Sequence, residues 1–166
     1  MPVFPGRYTA SVEDDFVVFL IGMRVNRPWK LHRWMPIAVA MPKMLRAIEK
    51  DPDLGCLGYH LWFGRTTLAL QYWCDFESLD RFARDTTLPH LEPWRRFNRR
   101  VGSNGDVGIW HETYRVRAGE YEAVYGNMPK FGLAAAGNHV PVSAKGETAR
   151  ARIGLEPPEP PAADAT

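Results

Sequence analysis

Apolar residues follow two spacings along the chain, and these predict alternating strands and helices. Residues 16–21 are apolar throughout and rich in Phe, Val and Ile, which predicts a buried strand. Residues 28–50 place apolar side chains at helical spacing, with Asn26 as the expected cap. Pro36 and Pro42 lie inside that segment, so we expect a kinked or two-piece helix.

A hairpin and a second helix follow. The segments 57–63 and 67–73 are rich in aromatic and aliphatic residues and are separated by three residues, which predicts two strands joined by a tight turn. Asp75 is expected to cap a second helix. Its apolar spacing resumes after an interruption and ends at Val101, just before a glycine.

The last strands complete a known arrangement. Residues 107–116 alternate in polarity and predict a fourth strand, and 121–127 predict another. The order strand, helix, strand, strand, helix, strand predicts an α+β fold of ferredoxin-like type, with both helices on one face of an antiparallel sheet. We assign residues 1–142 to this domain and 143–166, which end in a run of Pro and Ala, to a disordered tail.

The strands predict a partner for the sheet. Because they are apolar on both sides, the face without helices should not be solvated, and pairing it with a second copy predicts a homodimer. Other partners have less support. The formal net charge of the 166 residues is only +2, so no whole-chain field indicates nucleic acid or an anionic membrane surface.

Composition places the chain among globular cytoplasmic proteins. Hydrophobic residues make up 45% of the sequence, enough for a sizeable core. Cys56 and Cys74 are too few for a disulfide framework, and no charged-then-apolar leader precedes the first predicted strand, so we expect a cytoplasmic location. The longest apolar run is shorter than the roughly 20 residues of a membrane-spanning helix.

Several cofactor motifs are missing from the sequence. No pair of His or Cys has zinc-site spacing, so structural zinc is not expected. Neither a phosphate-binding loop nor a flavin or nicotinamide fingerprint occurs, which predicts no flavin and no NAD.

Three residues are candidates for catalysis. His111 and Glu112 are adjacent on the fourth predicted strand, so their side chains point to opposite faces and only one can face a pocket. Either could act as a general base in apolar surroundings, and Arg24 could supply cationic help. The alternative is that His111 and Glu112 are ordinary sheet residues or dimer contacts.

Arg24 also belongs to a basic cluster near the first predicted helix, where a helix N-terminus adds partial positive charge. An anionic ligand could bind there. The alternative is a solvated basic rim, or Arg24 paired with a carboxylate such as Glu112. The cluster comprises Arg24, Arg27, Lys30, His32 and Arg33.

A second candidate site lies near the second half of the predicted second helix, and it forms if the interruption from Thr86 to Pro93 is itself helical. His90 is four residues before Trp94 and seven before Phe97, so the three would share one helix face. An imidazole beside aromatic walls suits an axial haem ligand or a proton shuttle. Because Pro89 and Pro93 bracket it, His90 is alternatively a loop residue.

Four strings carry a resemblance to a known family. They are FVVFLIGMR at 16–24, QYW at 71–73, WRRFNRRV at 94–101 and GIWHETY at 108–114. This combination resembles the bacterial and fungal monooxygenase-like proteins of the fumagillin-pathway type, within the dimeric α/β barrel superfamily. The resemblance covers roughly residues 7–142 and implies a ferredoxin-like fold and a dimer.

The resemblance implies a reaction class. The superfamily includes cofactor-free monooxygenases, haem-degrading enzymes, haem-dependent aldoxime dehydratases and proteins without catalysis. The leading hypothesis is a monooxygenase for a small hydrophobic metabolite, aromatic or terpenoid, held between helices and sheet without a cofactor. The alternatives are a haem b enzyme of aldoxime-dehydratase type with His90 on the iron, or a non-catalytic dimeric binding protein. The haem-degrading enzymes carry an Asn on the first strand, which this chain lacks.

Overall fold

The structure is a computed structural model that describes residues 1–84 and 104–155. Its strands are β1 Phe4–Ser11, β2 Phe16–Val25, β3 Cys56–Trp62, β4 Leu68–Trp73, β5 Val107–Val116, β6 Tyr125–Met128 and β7 Asn138–Pro141. Its helices are α1 Leu31–Lys50, α2 Phe76–Arg84 and the single turns α3 Leu133–Ala136 and α4 Ala149–Arg152, with 3-10 turns at Pro52–Leu54 and Val142–Ala144.

These elements form two compact units. The larger unit is Asp15–Val116, and the smaller unit joins the first 14 residues to the chain after residue 116. In the larger unit the strands form an antiparallel sheet in the order β3-β4-β2-β5. This is the predicted α+β ferredoxin-like arrangement, and the four strands and two helices among the described residues of this unit occur in the predicted order.

The two described helices of the larger unit, α1 and α2, pack on one face of its sheet, here called the helix side. Side chains alternate across a strand, so the odd-numbered residues of β2 and β4 face α1 and α2, and the even-numbered ones face the other way, here called the open side. The core on the helix side consists of Val17, Ile21, Ala69 and Trp73 with Leu45 and Ile48 of α1 and Leu79 and Phe82 of α2.

The first helix differs from its prediction. It starts at Leu31, after a turn in which the Lys30 amide donates to the Arg27 carbonyl, and it is one continuous helix that contains Pro36 and Pro42. The two-piece prediction was therefore wrong. Asn26 does not cap it, because the Asn26 side-chain amide donates to the Gly105 carbonyl at 3.1 Å instead.

The hairpin and the second helix match their predictions. β3 and β4 pair directly across a short turn. The Asp75 carboxylate accepts a hydrogen bond from the Ser78 amide at 2.6 Å and so caps α2. That contact lowers the pKa of Asp75. The predicted continuation of the helix lies outside the described residues, which stop at Arg84 and resume at Asn104.

The smaller unit is a three-stranded antiparallel sheet in the order β6-β1-β7. Sequence analysis did not predict its central strand, β1, because Pro5 and Gly6 break the apolar alternation there. The predicted strand at 121–127 forms only as β6, which starts at Tyr125 and pairs with β1.

The chain beyond residue 142 is ordered as far as it is described, which corrects the expected disorder for residues 143–155. The Arg152 guanidinium pairs with the Glu122 carboxylate at 2.6 Å, and Thr148 caps the turn of α4. This ion pair holds the segment in place, and a prediction based on apolar residues alone does not detect it. The boundary at residue 142 stays a prediction, and residues 156–166 lie outside the described chain.

No helix among the described residues is long and apolar enough to span a membrane.

Candidate functional site

The pairing of β2 with β5 decides which way the candidate catalytic residues point. His111 pairs with Ile21, a core residue of the helix side. Glu112 pairs with Leu20, one residue along, and therefore lies on the open side. The sequence left this choice open, and the register assigns His111 to the helix side. Both His111 and Glu112 are exposed, so the apolar burial expected for one of them is not found within one chain.

Glu112 and Arg24 share the open side but are separated along it. Arg24 pairs with Gly108, four positions from Glu112 on β5, and its guanidinium donates to the Thr66 hydroxyl at 2.8 Å. Glu112 accepts a hydrogen bond from the Tyr114 hydroxyl at 2.6 Å, which raises the pKa of Tyr114. Within one chain, the structure therefore does not bring His111, Glu112 and Arg24 together.

The basic cluster forms around a buried carboxylate that sequence analysis did not identify. Asp106 is 2% exposed, and it accepts hydrogen bonds from Arg27 and Lys30 at 2.9 Å. Arg33 lies 3.9 Å away. The hydrogen bond from Lys30 is the main cause that holds the pKa of Asp106 below its usual value. These cations tie the start of α1 to the start of β5, so part of the cluster is structural.

The candidate haem residues His90, Trp94 and Phe97 lie outside the described residues. In the described ranges, 1–84 and 104–155, no group of three or more His, Cys, Asp or Glu side chains could hold a metal ion. His90 as a metal ligand therefore stays a prediction.

A polar residue missed by sequence analysis lies in the core of the helix side. Gln71 is 1% exposed and sits on β4 between Ala69 and Trp73, both core residues. Its side-chain Oε1 accepts a hydrogen bond from the Trp73 indole at 2.9 Å. An indole N–H can only donate, so this bond identifies Oε1 as the acceptor and leaves Nε2 as the free donor.

The Gln71 amide nitrogen is buried and has no hydrogen-bond partner within the described part of the chain. A buried polar group left in this way costs about 1–3 kcal/mol. Such groups are few in native proteins, and each calls for an explanation, of which a functional role is one. The sequence signal was available: Gln71 is the only polar position between apolar neighbours on the inward-facing side of β4.

Aromatic residues pair with Gln71 on both neighbouring strands, and one of them lies next to His111. Phe19 on β2 and Tyr59 on β3 lie directly across from Gln71. The Phe19 ring is 6.0 Å from the His111 imidazole, centroid to centroid. The helix side thus presents a hydrogen-bond donor, two aromatic rings and an imidazole along adjacent strands. Such a set can hold a flat apolar molecule by one polar atom.

A small cavity also lies on the helix side, but its lining does not include Gln71, Phe19, Tyr59 or His111. This cavity of about 10 Å³, room for about one water molecule, lies between α1 and the sheet. Its lining is almost entirely apolar and consists of Met23, Ala38, Met41, Leu61, Phe63 and Thr67.

Comparison with solved structures supports the fold. A crystal structure of aldoxime dehydratase superposes with a TM-score of 0.62 at 17% identity, covering 82% of this chain and 41% of that one. The oxygenase SnoaB of Streptomyces nogalater, described as cofactor-independent, superposes with a TM-score of 0.43 at 16% identity, covering 62% of this chain and 94% of that one. At these identities the likeness concerns the fold alone, and the first match shows it.

Comparison by sequence is more specific. The chain is 32% identical over 148 residues to a protein of Aspergillus fumigatus named "Monooxygenase af470". The match covers 75% of this chain and 52% of the relative, so the chain spans about half the length of that relative. The family model described as "Monooxygenase af470-like" matches residues 16–133, which include the whole four-stranded sheet and both candidate catalytic positions of β5. The chain therefore belongs to the Monooxygenase af470-like family.

Proposed function

We propose that this protein is a monooxygenase that oxidises a small hydrophobic metabolite, aromatic or terpenoid, on the helix side of the sheet. Family membership supports the reaction class. The observation that carries the location is the buried Gln71 amide, a donor without a partner among the described residues, next to aromatic rings. It would donate to a carbonyl or enolate oxygen of the substrate.

The reaction needs no bound cofactor if the substrate supplies the electrons. A base removes a proton from an acidic C–H group, and the resulting carbanion reduces molecular oxygen. For a methylene that becomes a carbonyl, four electrons pass from carbon to O₂. One oxygen atom enters the product, and the other leaves as water with the two protons. The protein's part is to remove the first proton and to stabilise the anion.

His111 is the base in this proposal. It lies on the same side of the sheet as Gln71, and its ring contacts Phe19, which pairs with Gln71. Glu112 and Arg24 lie on the open side and have no place in this site within one chain.

Two substitutions of Gln71 test the role of its amide. Gln71→Glu keeps an acceptor for the Trp73 indole but removes the amide donor. Gln71→Met removes both the acceptor and the donor. Anthrone serves as the probe, because its acidic methylene is oxidised to the carbonyl of anthraquinone with release of one water. We expect both variants to lower kcat/KM for oxygen uptake by about tenfold or more, the value of one hydrogen bond to a charged oxygen.

Tyr114→Phe is the matched control, because it removes a polar group from the open side and should leave the rate within about twofold. Thermal unfolding of each variant checks the fold. If folded Gln71→Met oxidises anthrone as fast as the wild type, Gln71 does not bind the substrate. If the wild type does not exceed the uncatalysed rate with anthrone or other hydrophobic C–H acids, the proposed reaction is wrong.

We also propose that two copies pair through the open sides of their sheets. Leu20 and Leu70 are only half-buried there, and Trp62 and Tyr114 are exposed. Burying such a surface between two copies is favourable.

Sedimentation equilibrium should give twice the 18.9 kDa chain mass, and Trp62→Glu should shift the measured mass toward that of the monomer. A wild-type protein of single-chain mass at micromolar concentration would contradict this.

Haem b remains the alternative cofactor proposal, with His90 on the iron and Trp94 and Phe97 beside the porphyrin. The described residues add no support for it, because all three positions lie outside them. A cytoplasmic location is likewise still a prediction.

A further inference from the structure

One end of the four-stranded sheet combines exposed aromatic side chains with clustered positive charge. At this end β2 finishes, α1 begins and the β3–β4 turn lies. Trp29 is 74% exposed and Phe63 is 65% exposed, although both are large apolar side chains. Leu31, at the first turn of α1, is also more than half exposed. Large exposed apolar side chains gathered at one end of a sheet are a feature of surfaces that contact a membrane or a partner.

Hydrogen bonds hold the parts of this end together. The Val25 amide donates to the Arg65 carbonyl at 2.8 Å, which joins the end of β2 to the β3–β4 turn. Phe63, in the same turn, borders the small cavity with Ala38 of α1. We call this surface the aromatic-basic edge; it consists of Arg24, Arg27, Trp29, Lys30, Arg33, Phe63 and Arg65.

Positive charge is concentrated at this edge, although the whole chain is nearly neutral. The edge holds five cations, while the formal net charge of the complete chain is only +2. Three of these cations, Arg27, Lys30 and Arg33, lie within 4 Å of the Asp106 carboxylate, whose side chain is 3% exposed. Because that anion is buried behind Arg27 and Lys30, the surface shows the surplus positive charge. Exposed indole and phenyl rings beside arginines are the chemistry of an anionic lipid interface.

We infer that the aromatic-basic edge docks on anionic lipid membranes, with Trp29 and Phe63 in the headgroup layer and the arginines on lipid phosphates and carboxylates. The inference does not depend on the proposed reaction. Charge complementarity identifies the lipid as anionic. Each cation near an anionic membrane surface strengthens binding by about fivefold, whereas the cations do not strengthen binding to neutral lipid. A docked enzyme would take a hydrophobic substrate from the place where it dissolves.

Co-sedimentation with vesicles tests the docking. The full chain should bind phosphatidylcholine vesicles that contain about one third phosphatidylserine, and phosphatidylcholine alone at least tenfold more weakly. Binding should weaken at about 0.5 M salt, where charges are screened within a few ångströms. Trp29→Ala with Phe63→Ala, and Arg24→Gln with Arg65→Gln, should each lower the partition coefficient by about tenfold or more.

Matched controls lie at the opposite end of the same sheet. Phe76 is an exposed aromatic residue at the start of α2, and Arg115 is an exposed arginine near the end of β5. Phe76→Ala with Arg115→Gln should bind like the wild type. Equal binding to neutral vesicles, unchanged binding of both edge variants, or binding of duplex DNA without binding of anionic vesicles would each overturn the inference. Circular dichroism confirms that the exposed-residue variants are folded.

Discussion

Replacing His111 by alanine is expected to lower anthrone-dependent oxygen uptake by about 100-fold or more. A positioned general base contributes roughly 10² to 10⁴ to the rate of a proton transfer. Of the two candidate bases on β5, His111 is the one on the helix side. Its ring lies next to Phe19, and its pairing partner on β2 is two residues from Phe19, the residue that pairs with Gln71. The loss should fall on kcat, because the imidazole acts on the proton and not on the bulk of the substrate.

Two neighbouring substitutions make the result specific. Thr113→Ala changes the next residue on the same side of β5, and Glu112→Gln changes the adjacent residue on the open side. Each should keep the rate within about threefold of wild type. If instead Glu112→Gln is inactive and His111→Ala is active, the site lies on the open side and the proposed location is wrong.

Among the substitutions proposed for this chain, Gly22→Ala should lower the free energy of unfolding the most. A Cβ at this position in β2 would lie 2.0 Å from the Thr67 carbonyl oxygen and 2.7 Å from the Trp110 indole nitrogen. The first contact is with backbone of the neighbouring chain segment, so no side-chain rotation can relieve it. We expect the free energy of unfolding to fall by roughly 3 kcal/mol or more, the upper range for overpacking, and measure it by urea denaturation.

Gly108→Ala is the control, because Gly108 lies in the same sheet and its nearest neighbours would be 3.8 Å from the new Cβ. It should cost less than about 1 kcal/mol. Gly22→Ala combined with Trp110→Phe removes only the indole contact and should stay unstable. A Gly22→Ala protein with wild-type stability would show that β2 and the Thr67 segment are not packed as described.

The fold was predictable where apolar residues are dense. The four strands of the larger sheet were found because each buries aliphatic or aromatic side chains, and their order alone indicated the ferredoxin-like arrangement. β1 was missed because much of it is exposed and Pro5 and Gly6 lack a strand signal. The continuity of α1 through Pro36 and Pro42 was missed because tertiary packing of Leu45 and Ile48 can outweigh a lost hydrogen bond.

The site was predictable only in part. Sequence alternation showed that His111 and Glu112 point in opposite directions, but only the register with β2 showed which of them faces the helices. Gln71 was passed over because a polar residue in a strand usually faces water. Asp106 was passed over for a similar reason: its burial depends on Arg27 and Lys30, which are more than 75 positions away in the sequence.

The most direct test of the proposed reaction is the fate of ¹⁸O₂ in a reaction with wild-type protein, an anthrone and no added cofactor. A monooxygenase transfers one labelled atom into the quinone and the other into water, so the product mass should rise by one ¹⁸O per turnover. Turnover above background that leaves the product unlabelled would show an oxidase or a dehydrogenase, and would contradict the account.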